Sequence, residues 1–83
     1  MHEHKLVQGV LDEVLRVASA EKSTEIRRVR VRLNESSHVT PEQFREHFRL
    51  ISTGTPAESA GLEINLEPDL DGELRVDSID VAD

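Results

Sequence analysis

Apolar side chains recur at helical spacing over residues 4–20 and predict a first helix. Charged side chains, among them Lys5, Asp12 and Arg16, are left for the opposite, solvent-facing side. The apolar stripe comprises Leu6, Val7, Val10, Leu11, Val14, Leu15 and Ala18. Gly9 costs about 1 kcal/mol relative to alanine inside a helix, so we expect it to allow close packing.

Apolar and charged side chains alternate over residues 26–33, which predicts a strand with one buried and one solvent-exposed face. The apolar positions are Val29, Val31 and Leu33, and arginine occupies positions 28, 30 and 32 between them. The polar residues 34–37 that follow are typical of a turn.

Capping residues predict the start of a second helix. Thr40 can cap the helix, Pro41 suits its first position, and Gln43 completes a capping box. Phe44, Phe48 and Ile51 then share one face, and Gly54 is expected to end the helix, with Pro56 just beyond.

Two further strands follow, over residues 62–66 and from residue 74 onwards. The pair Asp71 and Gly72 between them is typical of a hairpin, which would make the third strand antiparallel to the second. In the third strand the apolar positions are Leu74, Val76, Ile79 and Val81. This alternation slips by one near Asp77 and predicts a β-bulge there.

The predicted order is therefore α-β-α-β-β, an α+β fold in one domain spanning residues 1–83. A helical crossover usually joins parallel strands, so the first two strands are expected to be parallel. Two helices on one face of a three-stranded mixed sheet would bury every apolar stripe. The other face would carry pairs of opposite charge, formed by Arg28, Arg30, Arg32, Glu63, Glu67, Arg75 and Asp77.

Charge and composition narrow the possible functions. The chain has 17 acidic and 10 basic side chains and a net charge of −7, which argues against binding nucleic acid or anionic membranes. It has no cysteine, so cysteine-ligated zinc and disulfides are excluded. With no membrane span or signal peptide visible, we expect a cytoplasmic protein whose oligomeric state stays open.

The N-terminal residues form the densest cluster of metal-capable groups. The Met1 amine, the His2 backbone nitrogen and the His2 imidazole can close adjacent chelate rings, and such a nitrogen-rich set suits Ni(II) or Cu(II). Glu3 and His4 could complete or replace a ligand. The alternative is that all of them are exposed residues at the start of a helix, where Glu3 complements the helix dipole.

The remaining candidates carry weaker signals. His38, in the loop before the second helix, is a possible extra metal ligand, whereas His47 fits a partly packed position on a helix flank. Ser36 and Ser37 stand beside His38, but adjacent residues rarely meet in nucleophile–base geometry and no oxyanion-hole motif accompanies them. The acidic residues of the last third are typical of a solvated surface, so the sequence favours a protein that is not an enzyme.

Taken in order, four stretches resemble the HypA/HybF family of hydrogenase-maturation nickel chaperones. They are the opening Met1-His2-Glu3 with its helix, residues 32–37, with Asn34 where glycine is usual, residues 41–48 with 54–58, and residues 72–81. Family members insert a zinc module with two cysteine pairs between the second and third strands. Here the insertion is replaced by the predicted hairpin turn at residues 68–72, so no structural zinc is expected.

The resemblance implies a nickel site formed by the Met1 amine, the backbone nitrogen and imidazole of His2, and the Glu3 backbone nitrogen. It also implies partners, namely a GTPase nickel chaperone and the hydrogenase large subunit or the urease machinery. The competing hypothesis is a metal-free protein–protein interaction module that kept the fold and lost the metal role. The acidic last third and an exposed sheet edge motivate that hypothesis.

Overall fold

A computed structural model describes residues 2–82 of the chain. Two helices and a three-stranded mixed sheet alternate in the predicted order, which confirms the α+β fold. The elements are α1 (His2–Ala20), β1 (Ile26–Asn34), α2 (Pro41–Ile51), β2 (Gly61–Glu67) and β3 (Leu74–Val81).

Helix α1 packs through the predicted stripe, since Val7, Val10, Leu11, Val14 and Ala18 are all buried. The expectation for Gly9 is wrong. A Cβ atom added there would meet nothing within 4 Å, because Gly9 lies on the exposed side of the helix. Neither helix within residues 2–82 has the length and apolar content needed to cross a membrane.

Strand β1 lies at the centre of the sheet, whose order is β2-β1-β3. It pairs in parallel with β2, as predicted, and antiparallel with β3. Its apolar side chains are fully buried, which explains the central position: Ile26, Val29, Val31 and Leu33. Both helices cover this one face, because Phe44 and Phe48 of α2 join the same core cluster as the stripe of α1.

The predicted hairpin between β2 and β3 is wrong. The two strands do not pair; β3 instead crosses the end of β1 and pairs with the free side of that strand. Asn34, the last residue of β1, holds the connection through its side-chain amide, which donates to the carbonyls of Leu70 (2.9 Å) and Gly72 (3.0 Å). Leu70 is also buried, so the connection is packed against the domain.

The predicted bulge in β3 is confirmed. Arg30 pairs with Ser78 while the next residue, Val31, pairs with Val76, which leaves Asp77 as the extra residue. The bulge returns Ile79 to the core face, where it packs with the rest of the cluster.

The outer face of the sheet carries the expected ion pairs. Arg32 contacts Asp77 at 2.8 Å and Glu67 at 3.1 Å, one on each neighbouring strand. Arg28 and Arg30 both approach Glu63, at 3.6 and 3.5 Å. Solvent screens these half-exposed pairs, so they contribute little to the stability of the fold.

Helix α2 begins with the predicted capping box, in which Thr40 and Gln43 bond each other's backbone N–H. It ends slightly earlier than expected. Ser52 is the C-terminal capping residue, and Gly54 follows in the left-handed conformation with φ of 81°.

Candidate metal centre

The start of α1 lies beside the segment that leads into β3. The Nε2 atom of His2 contacts the Oε1 atom of Glu73, although 71 positions separate the two residues in sequence. Because β3 runs antiparallel to β1, its first residues lie where β1 ends, and α1 begins at that same end of the sheet. The topology therefore brings the start of α1 and the start of β3 together at one site.

These segments surround an open depression of about 410 Å³. It is lined by His2, Asn34, Ser36, Ser37, His38, Gly72 and Glu73. His2 and His38, which the sequence offered as separate candidates, thus share one depression. The imidazole of His2 is exposed enough for an incoming ion, with 65% of its side-chain surface accessible.

Glu73 is fixed by hydrogen bonds on both of its oxygens. The Ser37 hydroxyl donates to Oε2 at 2.7 Å, and His2 holds Oε1. The Ser37 bond, followed by the His2 bond, lowers the pKa of the Glu73 carboxyl below its ordinary value. Glu73 is therefore a carboxylate at neutral pH.

This contact determines which nitrogen of His2 can bind a metal. A carboxylate oxygen only accepts hydrogen bonds, so Nε2 of His2 carries the hydrogen and donates it to Glu73. In the neutral ring the lone pair is then on Nδ1. A carboxylate behind the imidazole is the usual partner of a metal-binding histidine, because it fixes the tautomer and raises the basicity of the ligand.

The backbone at the same place is also available. Helix α1 begins at His2. The first N–H groups of a helix have no acceptor inside it, and this applies to the amides of His2 and Glu3. Nδ1 is also the ring nitrogen that closes the smaller chelate ring with the His2 backbone nitrogen. The donor atoms thus match a nitrogen-rich set of the kind that Ni(II) favours.

The other predicted ligands lie in different places. Met1 falls outside the described residues. The Glu3 carboxylate accepts a bond from Nδ1 of His47 at 2.9 Å, and His4 contacts the same His47 ring at 3.1 Å, so neither side chain points to His2's depression. Within residues 2–82 no three His, Asp or Glu side chains converge to hold an ion, so an ion beside His2 would need backbone or terminal nitrogens as further ligands.

Sequence reasoning missed Glu73 and Ser37 as parts of this site. It assigned Glu73, with the other acidic residues of the last third, to a solvated surface and hairpin. The serine hydroxyls are both engaged elsewhere, since Ser37 donates to Glu73 and Ser36 donates to Asn34 at 2.8 Å. Within residues 2–82 neither hydroxyl donates to His38.

Comparison with known proteins identifies the family. The family described as "Hydrogenase/urease nickel incorporation, metallochaperone, hypA" matches residues 1–70. The chain belongs to the HypA family. This confirms the resemblance to that family; the match contains the first three stretches of sequence, whereas residues 72–81 lie beyond it.

Individual relatives agree with the HypA assignment. The chain is 39% identical over 67 residues to the hydrogenase maturation factor HypA of Methanopyrus kandleri, which covers 81% of this chain and 47% of that protein. It is equally similar, again at 39% over 67 residues, to the HypA of Archaeoglobus fulgidus, covering 61% of that protein. The chain thus spans about half the length of these curated relatives.

A solved HypA structure shares the fold. The solution structure of the Ni metallochaperone HypA from Helicobacter pylori superposes with a TM-score of 0.78 and covers 95% of this chain and 96% of that one. The two sequences are only 17% identical, so this likeness supports the architecture alone.

Proposed function

We propose that this HypA-family chain is a nickel carrier that holds Ni(II) at its own N-terminus and passes it to a maturing hydrogenase or urease. The ligands are the Met1 amine, the backbone nitrogens of His2 and Glu3, and Nδ1 of the His2 imidazole. The observation that carries the proposal is the contact of His2 Nε2 with Glu73, which leaves Nδ1 as the metal-binding nitrogen.

The charge balance of the site supports nickel binding. The two backbone amides must lose their protons to bind, so the metal and its ligands form a neutral unit at the positive end of the α1 dipole. Glu73 remains a carboxylate behind the imidazole and strengthens His2 as a donor. Because imidazole and amide nitrogens bind metal only without their protons, affinity falls as the solution becomes acidic.

Partners are proposed from the family. The curated relatives are named hydrogenase maturation factors, and the family description includes urease. We therefore infer a cytoplasmic, non-enzymatic protein that meets a GTPase nickel chaperone and the hydrogenase large subunit or the urease machinery. The single domain closes its sheet with the short connection at residues 68–72 in place of a zinc module. His38 in the shared depression remains a possible additional ligand.

Calorimetric titration of the untagged protein with Ni(II) at neutral pH tests the proposal. We expect one tightly bound ion per chain, with a loss of at least about 100-fold in affinity for His2→Ala, because the imidazole donor and its chelate ring are removed while the backbone nitrogen stays. One extra residue ahead of Met1 should weaken binding similarly, since it removes the free amine from the chelate. Lys5→Ala, on the exposed part of the same helix, is the control that should bind normally.

The competing function is a metal-free interaction module, which two exposed apolar side chains favour. Leu50 on α2 and Leu66 on the outer strand β2 are 59% and 50% exposed. Binding of purified GTPase or hydrogenase large subunit in the presence of a strong chelator distinguishes the two. Full binding of a partner protein without nickel, together with a nickel titration that shows no binding of the ion, would favour the interaction module.

A further inference from the structure

A second group of metal-capable side chains joins the two helices. The Nδ1 atom of His4 lies 3.1 Å from the Nε2 atom of His47, and Nδ1 of the same His47 lies 2.9 Å from the Glu3 carboxylate. The two rings are tilted by 38° with their centroids 5.2 Å apart. His4 is exposed, whereas only 23% of the His47 side chain is accessible.

The Glu3 carboxylate determines which nitrogen atoms of His47 and His4 carry hydrogen. Glu3 only accepts, so His47 donates from Nδ1 and, as a neutral ring, keeps its lone pair on Nε2. That lone pair points at His4. Glu3 therefore stands behind His47 as Glu73 stands behind His2, in the carboxylate–histidine arrangement common at metal sites.

The separation of the two nitrogens fits a shared ion. Two ligands about 2.0–2.1 Å from one ion are roughly 2.9 Å apart at a right angle and roughly 3.3 Å apart at the tetrahedral angle. The observed 3.1 Å falls between these values. Because the His4 ring is exposed, it can rotate until the lone pairs of His4 Nδ1 and His47 Nε2 both point at one ion. The half-buried His47 need not move.

We propose that His4 Nδ1 and His47 Nε2 bind a second divalent late-transition ion such as Ni(II), apart from the N-terminal chelate. Without metal, the hydrogen between the two rings is bonded to His4 Nδ1 and is donated to His47 Nε2. When the ion binds, Nδ1 of His4 releases this proton to solvent and Nε2 of His4 takes up a proton from solvent. The His4 ring therefore stays neutral, and the ion occupies the place of the hydrogen-bonded proton. No electron is transferred, and water completes the coordination shell.

The surroundings favour a cation at this place. His47 lines a groove together with the carboxylates Glu3, Glu42 and Glu46, on a chain whose net charge is −7. Such a cluster of negative charge raises the local concentration of cations. With two protein ligands and the rest water, the site is weaker than a full chelate and exchanges its ion readily. It requires neither the Met1 amine nor the His2 imidazole.

The test uses the full chain with its N-terminal amine acetylated, which removes the first site and leaves the second intact. Ni(II) in a water-rich site is paramagnetic and broadens nearby signals in a ¹H–¹⁵N NMR titration. We expect broadening centred on His4 and His47, and at least a tenfold loss of affinity in H4A and in H47A. Glu3→Gln should weaken binding by about tenfold, as for other carboxylates behind a ligand histidine.

Glu42→Gln is the matched control, because it removes one charge from the same groove without touching either ring. It should change affinity less than twofold. The proposal is overturned if millimolar Ni(II) leaves the acetylated protein unchanged, or if the broadening centres on His2 and His38. It is also overturned if Glu42→Gln weakens binding as much as Glu3→Gln, since charge alone would then explain the effect. None of these outcomes bears on the chelate at the free N-terminus.

Discussion

Glu73 connects the start of helix α1 with the loop after β1 through single side-chain contacts. Its carboxylate receives the Ser37 hydroxyl on one oxygen and His2 on the other. Both bonds favour the charged form, and the resulting depression of its pKa outweighs the opposing effect of partial burial. One glutamate thus anchors the loop after β1 and orients the proposed ligand histidine.

Ser37→Ala should raise the pKa of Glu73 toward its ordinary value, because the Ser37 hydroxyl makes the largest contribution to the depression. Carboxyl ¹³C NMR titration of the metal-free protein measures it. Ser36→Ala is the control, since that hydroxyl donates to Asn34 and not to Glu73. An unchanged Glu73 pKa in Ser37→Ala would contradict the assigned cause.

The same shift affects the free energy of unfolding. The folded-state pKa of Glu73 is lower than its unfolded value, so its ionised form stabilises the fold above the unfolded pKa. That stabilisation is lost as pH falls through the folded pKa, in the acidic range below about pH 4.5. Ser37→Ala should therefore lose less stability on acidification than the parent chain does.

The sequence indicates which residues could bind a metal ion but not which side chains surround them. Met1, His2 and Glu3 are adjacent in the chain, so their chelating potential is visible in the sequence itself. The contacts of His2 with Glu73 and of His4 with His47 span 71 and 43 positions. Nothing local in the sequence encodes such pairings, because they depend on how the helices and strands meet.

Helices and strands, in contrast, follow local rules that this sequence obeys. The apolar stripe of α1, the capping box of α2 and the slip of alternation in β3 each appear in the structure where they were predicted. Each depends on neighbours within a few residues, so periodicity and capping chemistry suffice. Gly9 was misjudged because its cost inside a helix was taken to indicate close packing, although position 9 lies outside the apolar stripe of α1.

Two substitutions at helix α1 should both stabilise the protein, although one removes a glycine and the other introduces one. Gly9→Ala removes the entropic cost of glycine at an open helical position, for a gain of about 1 kcal/mol. Lys22→Gly relieves a left-handed residue, with φ of 55°, at the end of the helix, where Ser23 N–H bonds Ala18 O as in a Schellman motif. It should gain up to about 1 kcal/mol.

Urea denaturation of the metal-free chain measures both changes. Lys5→Gly is the control, because Lys5 sits inside the helix without a left-handed backbone, and it should destabilise by about 1 kcal/mol. A loss of stability in Gly9→Ala would mean that Gly9 packs closely after all. A loss in Lys22→Gly would contradict the left-handed conformation of that residue.

The arrangement of the whole molecule depends on the connection from β2 to β3. The sequence predicted the strands and a turn, but not that β3 would cross β1 and pair on its far side. A turn motif specifies that the chain reverses, whereas the choice of neighbour depends on which strand edge is open. Only the crossed arrangement places Glu73 beside His2 and completes the candidate site.

Asn34→Ala should destabilise the domain by about 2 kcal/mol, because its side chain donates two bonds to the crossing connection and accepts two from Ser36, one from the backbone N–H and one from the hydroxyl. Asn65→Ala is the matched control. Its amide contacts only Glu63 on the exposed face, so we expect a change within about 0.5 kcal/mol. Equal effects of the two substitutions in urea denaturation would show that Asn34 does not secure the connection.

We propose that a free Met1 amine and the adjacent His2 hold nickel in a planar shell of nitrogen atoms. Nickel K-edge X-ray absorption of the native, untagged chain with one equivalent of Ni(II) measures that shell. We expect a square-planar, all-nitrogen shell that is lost on N-terminal acetylation and in His2→Ala. An oxygen-rich, six-coordinate ion that is unchanged by either alteration, or no bound nickel at neutral pH, would contradict it.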